Sequence, residues 1–407
     1  MKIVQPSRSS RIVRPWPTSA YIHIPFCRRR CFYCDFPISV IGDRKRGETS
    51  LAIAHYVDLL CQEIEVTSTG PHPIKTIFFG GGTPSLLSAQ QLGQVLQVLE
   101  QQFGFEPDIE ISIEMDPGTF SLLLMQQFKA LGVNRVSLGV QAFTEELLQA
   151  CGRSHTVADI DDAIAILHQA GITNFGLDLI SGLPNQTLDQ WQASLEAAIA
   201  LEPTHLSTYD LVIEPTTVFG KKYQPGMQPL PSDETAAQMY RLAATALTAA
   251  GYDHYEISNY AHPGHTCRHN QVYWQNGPYY GFGMGATSYV HGQRVSRPRT
   301  RKDYADWVNR LIAAQGQMDD EVSTDLDILL ETLMMGLRLA TGVSLATLQD
   351  IASPESVDLL LGCLVPYQEQ GWVRLPHHQE DVICLTDPDG FLFSNTILTT
   401  IWQALDP

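Results

Sequence analysis

Cys27, Cys31 and Cys34 stand within eight residues in the spacing C-x3-C-x2-C. Thiolates are the usual ligands of iron in clusters, and short spacers let one loop wrap three corners of a cube while its backbone N–H groups bond the sulfurs. A 4Fe–4S cube takes four ligands, and this motif supplies three. Zinc is the competing reading, but zinc loops usually pair two C-x2-C units and the chain has no second pair. Cys61, Cys151, Cys267, Cys363 and Cys384 are scattered, and a lone cysteine is usually a small buried hydrophobe. A second feature is Gly80-Gly81-Gly82-Thr83. A glycine triplet alone is a turn more often than a site, yet without side chains a backbone can approach a ligand closely.

The elements that must position these residues alternate. Up to residue 211, short β-rich runs at 20–24, 76–79, 109–114, 135–140, 175–180 and 205–211 are separated by amphipathic stretches such as 51–66, 89–101, 157–170 and 188–201. Strands divided by helices imply right-handed βαβ units and a parallel sheet, either barrel-like or doubly wound. Periodicity does not choose between those two, but the placement of polar residues does. The cysteines follow strand one, Gly80–Thr83 follows strand two, and Glu114, Gln141 and Asp178 lie at or in strands three, four and five. A parallel α/β barrel gathers its active site at those ends. Six units predict a partial (β/α)6 barrel, open on one side for a large substrate. The expected division is a basic arm over 1–19, the barrel over 20–220, a linker and Gly/Tyr/His-rich extension over 221–300, and a small domain over 301–407. In that last segment, helices followed by a hairpin at 372–375 and 382–385 suggest a winged-helix-like module.

Composition bounds the function. Apolar residues make up 44% and charged residues 17%, and the formal charge is −18. That balance suits a globular protein and argues against wrapping nucleic acid, which needs clustered Lys and Arg. Residues 301–407 hold 5 Lys/Arg against 17 Asp/Glu, so the module is expected to pack or act as a lid rather than bind DNA. No apolar run approaches bilayer length and no charged-then-apolar secretory start is present. The expected setting is therefore cytoplasmic, where cysteines stay thiols or metal ligands.

Cysteine motif, glycine motif and strand order together resemble the radical S-adenosylmethionine superfamily, which places an aromatic, here Tyr33, before the third cysteine. The resemblance implies that the amino and carboxylate groups of S-adenosylmethionine chelate the fourth iron and that the reduced cluster breaks its sulfonium C–S bond. It covers about residues 21–211. A tighter likeness rests on Tyr21-Ile-His23-Ile-Pro25-Phe26-Cys27, Ser137-Leu-Gly-Val-Gln141, Asp178-Leu-Ile-Ser-Gly-Leu-Pro184 and His269-Asn270-x-x-Tyr273-Trp274. These motifs resemble the family containing oxygen-independent coproporphyrinogen III oxidase and heme chaperones. Carried across, Tyr21, Gly81 and Glu114 would contact the cluster-bound S-adenosylmethionine. Tyr33, Gly82, Thr83, Gln141, Arg153 and Asp178 match positions that hold a second S-adenosylmethionine in the oxidase.

Two departures discriminate within that family. In the oxidase the third cysteine is followed by Gly and a fourth Cys, whereas here Cys34 is followed by Asp35-Phe36, and only 26 residues precede Cys27. Both differences resemble the chaperone branch, which implies a protein that binds heme and passes it to an acceptor protein; the alternative is a coproporphyrinogen-oxidising or other radical enzyme. Four histidines, His254, His262, His265 and His269, crowd around Cys267. Imidazole is a common axial ligand of heme iron, so His269 is the first candidate and Cys267 the second. A Gly- and Tyr-rich hairpin also keeps such residues for its own turns. The first 46 residues hold ten Lys/Arg and two acids; beside a solvated arm, the sharper expectation is a docking patch, including Arg28, Arg29 and Arg30, for an acidic donor such as flavodoxin or ferredoxin.

Overall fold

A computed structural model describes residues 15–43, 46–317, 323–376 and 381–406. Strand β1 (Ser19–Ile24) leads into the cysteine loop, whose ends close as a two-residue parallel pair, β2 (Phe26–Cys27) on β3 (Ser39–Val40). The next five strands, β4 (Ile74–Gly81), β5 (Phe105–Met115), β6 (Arg135–Gln141), β7 (Phe175–Ser181) and β8 (His205–Asp210), continue from β1 in chain order, each parallel to the last. Beyond β8 the sheet is extended antiparallel by β10 (Asn259–Ala261) and then β9 (Asp253–Glu256), while β11 (Tyr280–Phe282) lies parallel on the far side of β1. The end strands β9 and β11 do not pair with each other, so the barrel is partial and open on that side.

Helices α1 (Leu51–Val66), α2 (Ala89–Phe103), α3 (Leu122–Ala130), the short α4 (Glu145–Ala150), α5 (Val157–Ala170) and α6 (Leu188–Ala200) fill the connections. Ser88, Thr156 and Thr187 start α2, α5 and α6 with reciprocal capping boxes, which satisfy N–H groups that a helix cannot bond itself. Alternate strand residues point to opposite faces. One set, including Ile22, Ile77, Ile113, Leu138 and Leu177, forms the main core with Val57, Leu92, Phe128, Leu167 and Trp191 of the surrounding helices. The other set is polar: Glu110 and Glu114 on β5, Arg135 and Ser137 on β6, Asp178 on β7, and His205 and Ser207 on β8. The core therefore lies between sheet and helices, and the barrel lumen is a polar chamber.

The chain then runs through α7 (Val218–Lys222), α8 (Asp233–Ala249), α9 (Arg268–Trp274), a hairpin of β12 (Thr287–Val290) and β13 (Gln293–Ser296), and α10 (Arg301–Ala313). Here the structure differs from expectation. The stretch read as linker and extension supplies β9, β10 and β11 to the barrel sheet itself. These strands are three or four residues long, too short for alternation to show. The last segment follows the order helix, strand, two helices, hairpin, helices: α11 (Asp325–Gly336), β14 (Val343–Ser344), α12 (Leu345–Ile351), α13 (Pro354–Glu369), β15 (Val373–Arg374), β16 (Val382–Leu385), α14 (Asp389–Leu392) and α15 (Ser394–Leu405). Its three-stranded antiparallel sheet packs its own core of Leu333, Leu348, Leu364, Ile383 and Ile401. The basic arm falls mostly outside the described residues, as do Arg44 and Lys45.

Candidate functional site

The cysteine loop is held shut from within and from below. Ile41 N–H donates to the Cys27 carbonyl at 3.0 Å. Arg30 folds back over the loop, donating to the carbonyls of Cys34 and Phe36 at 3.1 Å and of Ile38 at 3.3 Å. The glycine run at the end of β4 lies directly beneath: Gly82 N–H donates to the Ile24 carbonyl at 2.9 Å and Thr83 N–H to that of Phe26 at 2.7 Å. Gly82 has no room for a side chain, since a Cβ would stand 2.9 Å from Cys27 Sγ. Gly81 has φ +110, a conformation that glycine tolerates, and a Cβ there would enter the His23 ring. The glycines thus let two strands meet closely enough to place the loop over the lumen.

Among the described residues, no three His, Cys, Asp or Glu side chains gather as ligands of a single metal ion would. The three loop thiols nonetheless lie within one another's electrostatic reach. A cube takes its thiolates at separate corners, so this donor set fits a cluster better than a lone ion.

Below the loop, the predicted residues form two groups. In the first, Gly81 N–H donates to Glu114 Oε2 at 3.0 Å, and the Tyr21 hydroxyl bonds His23 Nδ1 at 3.0 Å. Burial, with Asp178 nearby, pushes the Glu114 carboxyl up to about 8. Asp178, in mid-lumen, accepts from Ser137 Oγ at 3.0 and 3.1 Å. The second group centres on Asp116, which sequence reasoning missed. Thr83 Oγ1 donates to Asp116 Oδ2 at 3.0 Å, and buried Arg153 donates to Asp116 Oδ1, to the Gly139 carbonyl at 2.7 Å and to Cys31 Sγ at 3.6 Å. Gln141, at φ +70 beyond a bulge in β6, closes on the same point beside Gly139. Tyr33 packs on the neighbouring apolar cluster around Leu148 and Phe219, within reach of Cys31 and Arg153. The pocket beside Cys31, Thr83, Asp116 and Arg153 encloses only about 10 Å³, about one water.

On the open side, between the β9–β10 turn and the approach to β11, lies a cavity of about 530 Å³, within the range of small-molecule sites. Tyr209, Tyr273, Trp274 and Tyr279 supply aromatic wall, Glu256 and Arg294 the charges, and Met335 of α11 part of the cover. Burial pushes the Glu256 carboxyl up to about 7. Of the motif on α9, Asn270, Tyr273 and Trp274 line this cavity, but His269 does not. His269 is fully buried, its Nδ1 bonded to Thr76 Oγ1 at 2.9 Å and its Nε2 to the Tyr273 hydroxyl at 2.8 Å, with its ring stacked on Phe78. Both ring nitrogens are occupied, so the expectation that His269 ligates heme is not met by this arrangement. Cys267 is likewise sealed in, its thiol 3.8 Å from Glu110, whose carboxylate accepts from the N–H groups of Arg268 and His269 at 3.1 Å. Both residues secure α9 to the lumen.

Comparisons place this geometry. Residues 21–198 match the Radical SAM superfamily and residues 324–392 match the HemN C-terminal domain. The heme chaperone HemW of Synechocystis sp. is 46% identical over 403 residues, covering 96% of this chain and 97% of that protein. The chain belongs to the HemW family. The HemW of Bacillus subtilis is 36% identical over 385 residues, covering 93% and 97%. Among solved structures, coproporphyrinogen III oxidase (HemN) from Escherichia coli shares the fold, with a TM-score of 0.77 over 95% of this chain and 90% of that one at 24% identity.

In this HemW-family chain, Asp35 takes up a structural task after the third cysteine. Its carbonyl accepts from Arg299 at 2.6 Å and its carboxylate from Thr216 and Arg299, tying the cysteine loop to two distant segments. The loop arginines are also engaged: Arg28 donates to the Gly118 carbonyl at 3.0 Å, and Arg29 pairs with Asp43 at 2.9 Å while staying largely exposed. Arg29 and Arg30 are both exposed, Arg29 beside Asp43 and Arg30 over the loop carbonyls. The missed residues had faint signals. Asp116 stands two residues past Glu114, just beyond the strand end, but Arg294, Glu331 and Met335 sit in segments with no motif at all. Among the described residues, no helix is long and apolar enough to cross a membrane.

Proposed function

We propose that this chain binds heme and hands it to an acceptor protein while carrying a 4Fe–4S cluster on Cys27, Cys31 and Cys34. The observation that carries the reading is 46% identity, along nearly the whole chain, to a protein named heme chaperone HemW. Tyr21, Gly81 and Glu114 line the place where the amino end of S-adenosylmethionine would meet the cluster, and the Glu114 carboxyl, once ionised, would accept a hydrogen bond from the neutral amino group that ligates iron. When bound, the reduced cluster would supply the electron that splits the sulfonium C–S bond. Tyr33, Gly82, Thr83, Gln141, Arg153 and Asp178 are the further contacts in this reading, and Arg153 with Asp116 also fixes the wall beside Cys31. Heme would occupy the open-side cavity, where aromatic faces meet a flat macrocycle. A cytoplasmic setting and an acidic flavodoxin or ferredoxin donor approaching Arg29 belong to the same proposal.

The test incubates anaerobic, cluster-replete protein separately with coproporphyrinogen III and with heme. Stoichiometric heme retention and transfer to an apoprotein, without turnover, is the expected outcome. Catalytic conversion to protoporphyrinogen would overturn the chaperone reading in favour of an oxidase.

A further inference from the structure

Among the described residues the cavity wall contains one cationic side chain, Arg294 of β13, and its fork is already filled by a carboxylate. Arg294 Nε and Nη2 donate to the two oxygens of Glu331, each at 2.9 Å, and Nη2 also donates to Asn276 Oδ1 at 3.0 Å. The guanidinium lies over the Tyr289 ring at 4.2 Å. This is a built carboxylate receptor: the planar fork is oriented by an aromatic face and an amide, and matches a carboxylate in two parallel hydrogen bonds. Its present occupant comes from elsewhere in the chain. Glu331 lies on α11, the first helix of the C-terminal module, and only about a fifth of its side chain is exposed.

We propose that Arg294 is the carboxylate subsite of the cavity, and that Glu331 is an internal competitor which a carboxylate of the cargo displaces. The proposal rests on the heme-chaperone reading, since heme carries two carboxylate arms on a flat apolar ring. The rest of the wall suits that chemistry. Tyr273, Trp274 and Tyr279 offer ring faces, and Glu256, with its carboxyl raised to about 7 by burial, is not a full opposing charge at neutral pH.

Helix α11 links the exchange to the cover of the cavity. Glu331 and Met335 are four residues apart, hence on one face, and that face covers the cavity, while Leu329, Leu333 and Leu337 pack the core of the C-terminal module. Just past the C-terminal end of α11 the chain is fastened to β9: Ile257 N–H donates to the Arg338 carbonyl at 2.9 Å and Ala340 N–H to that of Tyr255 at 3.1 Å. Near its middle, α11 is held by Glu331 on Arg294 of β13 and by Asn276 Nδ2 donating to Thr332 Oγ1 at 3.2 Å. Displacing Glu331 therefore removes a tether from the middle of α11 and leaves the anchor past its C-terminal end in place. A competitor within the same chain also limits affinity, since part of the binding free energy goes into breaking the ion pair. A carrier that must surrender its cargo has use for such a limit.

The experiment titrates full-length, cluster-replete wild type, Glu331→Gln, Arg294→Ala, Arg294→Lys and the Glu331→Gln/Arg294→Ala double variant with heme and with heme dimethyl ester. Binding is followed by the Soret band, and release by transfer to apomyoglobin. Removing the competitor is expected to tighten heme binding about ten-fold, the equivalent of about 1.4 kcal/mol, and to slow transfer correspondingly. Arg294→Ala and Arg294→Lys should weaken heme by a similar factor, Lys because it lacks the fork. In the double variant, the Glu331→Gln gain should vanish. The ester should bind every variant alike, and heme, but not ester, should raise amide hydrogen exchange in residues 325–333 of wild type. Equal heme affinity across the variants, or equal affinity of heme and ester for wild type, overturns the subsite and leaves the chaperone reading standing. Failure of wild type to retain heme at all removes that reading and this proposal with it.

Discussion

His269 should behave as a buried strut whose removal is felt in stability and in its pH dependence before it is felt in heme binding. Its imidazole is sealed, and burial, with Arg135 adding to it, lowers its protonation to about 3. An unfolded histidine takes up its proton near pH 6.5. A group whose folded value is depressed in this way binds fewer protons when folded, so stability falls as pH drops through 6.5 and continues to fall toward 3. At about 1.36 kcal/mol per pH unit, this one side chain withdraws about 2 kcal/mol between pH 7.5 and pH 5. His269→Ala leaves the hydroxyls of Thr76 and Tyr273 without their partner and opens a void beside Phe78. The expected loss at pH 7.5 is about 2–4 kcal/mol, and the further loss on going to pH 5 should shrink by about 2 kcal/mol. Urea denaturation of the apo-protein at the two pH values measures both quantities, and His269→Gln serves if the alanine variant does not fold. Other buried histidines, such as His155, lowered to about 4, are present in every variant and cancel in the comparison. Unchanged stability and pH profile, together with an altered Soret band, would refute the strut and restore His269 as a heme ligand.

Other expectations follow from the same geometry. Cys27→Ala, Cys31→Ala and Cys34→Ala should each remove the cluster's iron and visible absorbance, whereas Cys61→Ala, Cys363→Ala and Cys384→Ala should not; iron analysis decides. Glu63 is fully buried and accepts from Arg297 Nε at 2.8 Å, Tyr304 OH at 2.6 Å and Gly283 N–H at 2.9 Å, so Glu63→Ala should destabilise by about 3–5 kcal/mol, the usual result of stranding a buried charge. A melting temperature unmoved by that change would contradict the network. Glu114, raised to about 8, accepts most strongly from the iron-ligating amino group when ionised, so S-adenosylmethionine affinity should fall as pH drops below about 8, with about ten-fold per pH unit from this carboxyl at most, and Glu114→Gln should flatten that profile in calorimetric titrations. Reduction of the cluster by flavodoxin should slow in high salt and with Arg29→Ala; Arg30→Ala is the poorer probe, because Arg30 braces the cysteine loop. Equal rates in low and high salt would remove the docking patch.

The barrel was legible because its strands carry a code of period two at the right places. Ser137 and Asp178 alternate with Leu138 and Leu177, and a polar residue at a strand end reads the same in sequence and in space. The three cysteines were legible because their spacing needs no tertiary context. Asp116 was not, because its importance comes from meeting Thr83 and Arg153, residues 33 and 37 positions away. The edge strands β9, β10 and β11 were hidden by their shortness, and the stretch that holds them reads as loop. His269 was legible as special, but its surroundings were not: sequence shows a histidine beside aromatics, not that Thr76 and Tyr273 hold both its nitrogens.

The polar lumen and the open side are two consequences of one choice of residues. A closed eight-stranded barrel fills its interior with side chains, leaving no room for cargo. Here β5 to β8 turn Glu114, Ser137, Asp178 and Ser207 inward, and buried carboxyls need hydrogen-bond donors rather than a neighbouring apolar layer. Ser137 supplies them to Asp178, and the Gly81 N–H supplies one to Glu114. Two edge groups then bracket the gap: β11, beside the cysteine strand, and β9–β10, beyond β8. Whatever covers that gap decides access to the lumen, and in this chain the cover includes α11 of the C-terminal module. Tyr273 links the two spaces, since it lines the cavity and also bonds the His269 that braces the lumen wall. A ligand in the cavity therefore rests against a residue whose position depends on β4, and through Gly81 and Gly82 that same strand supports the cysteine loop.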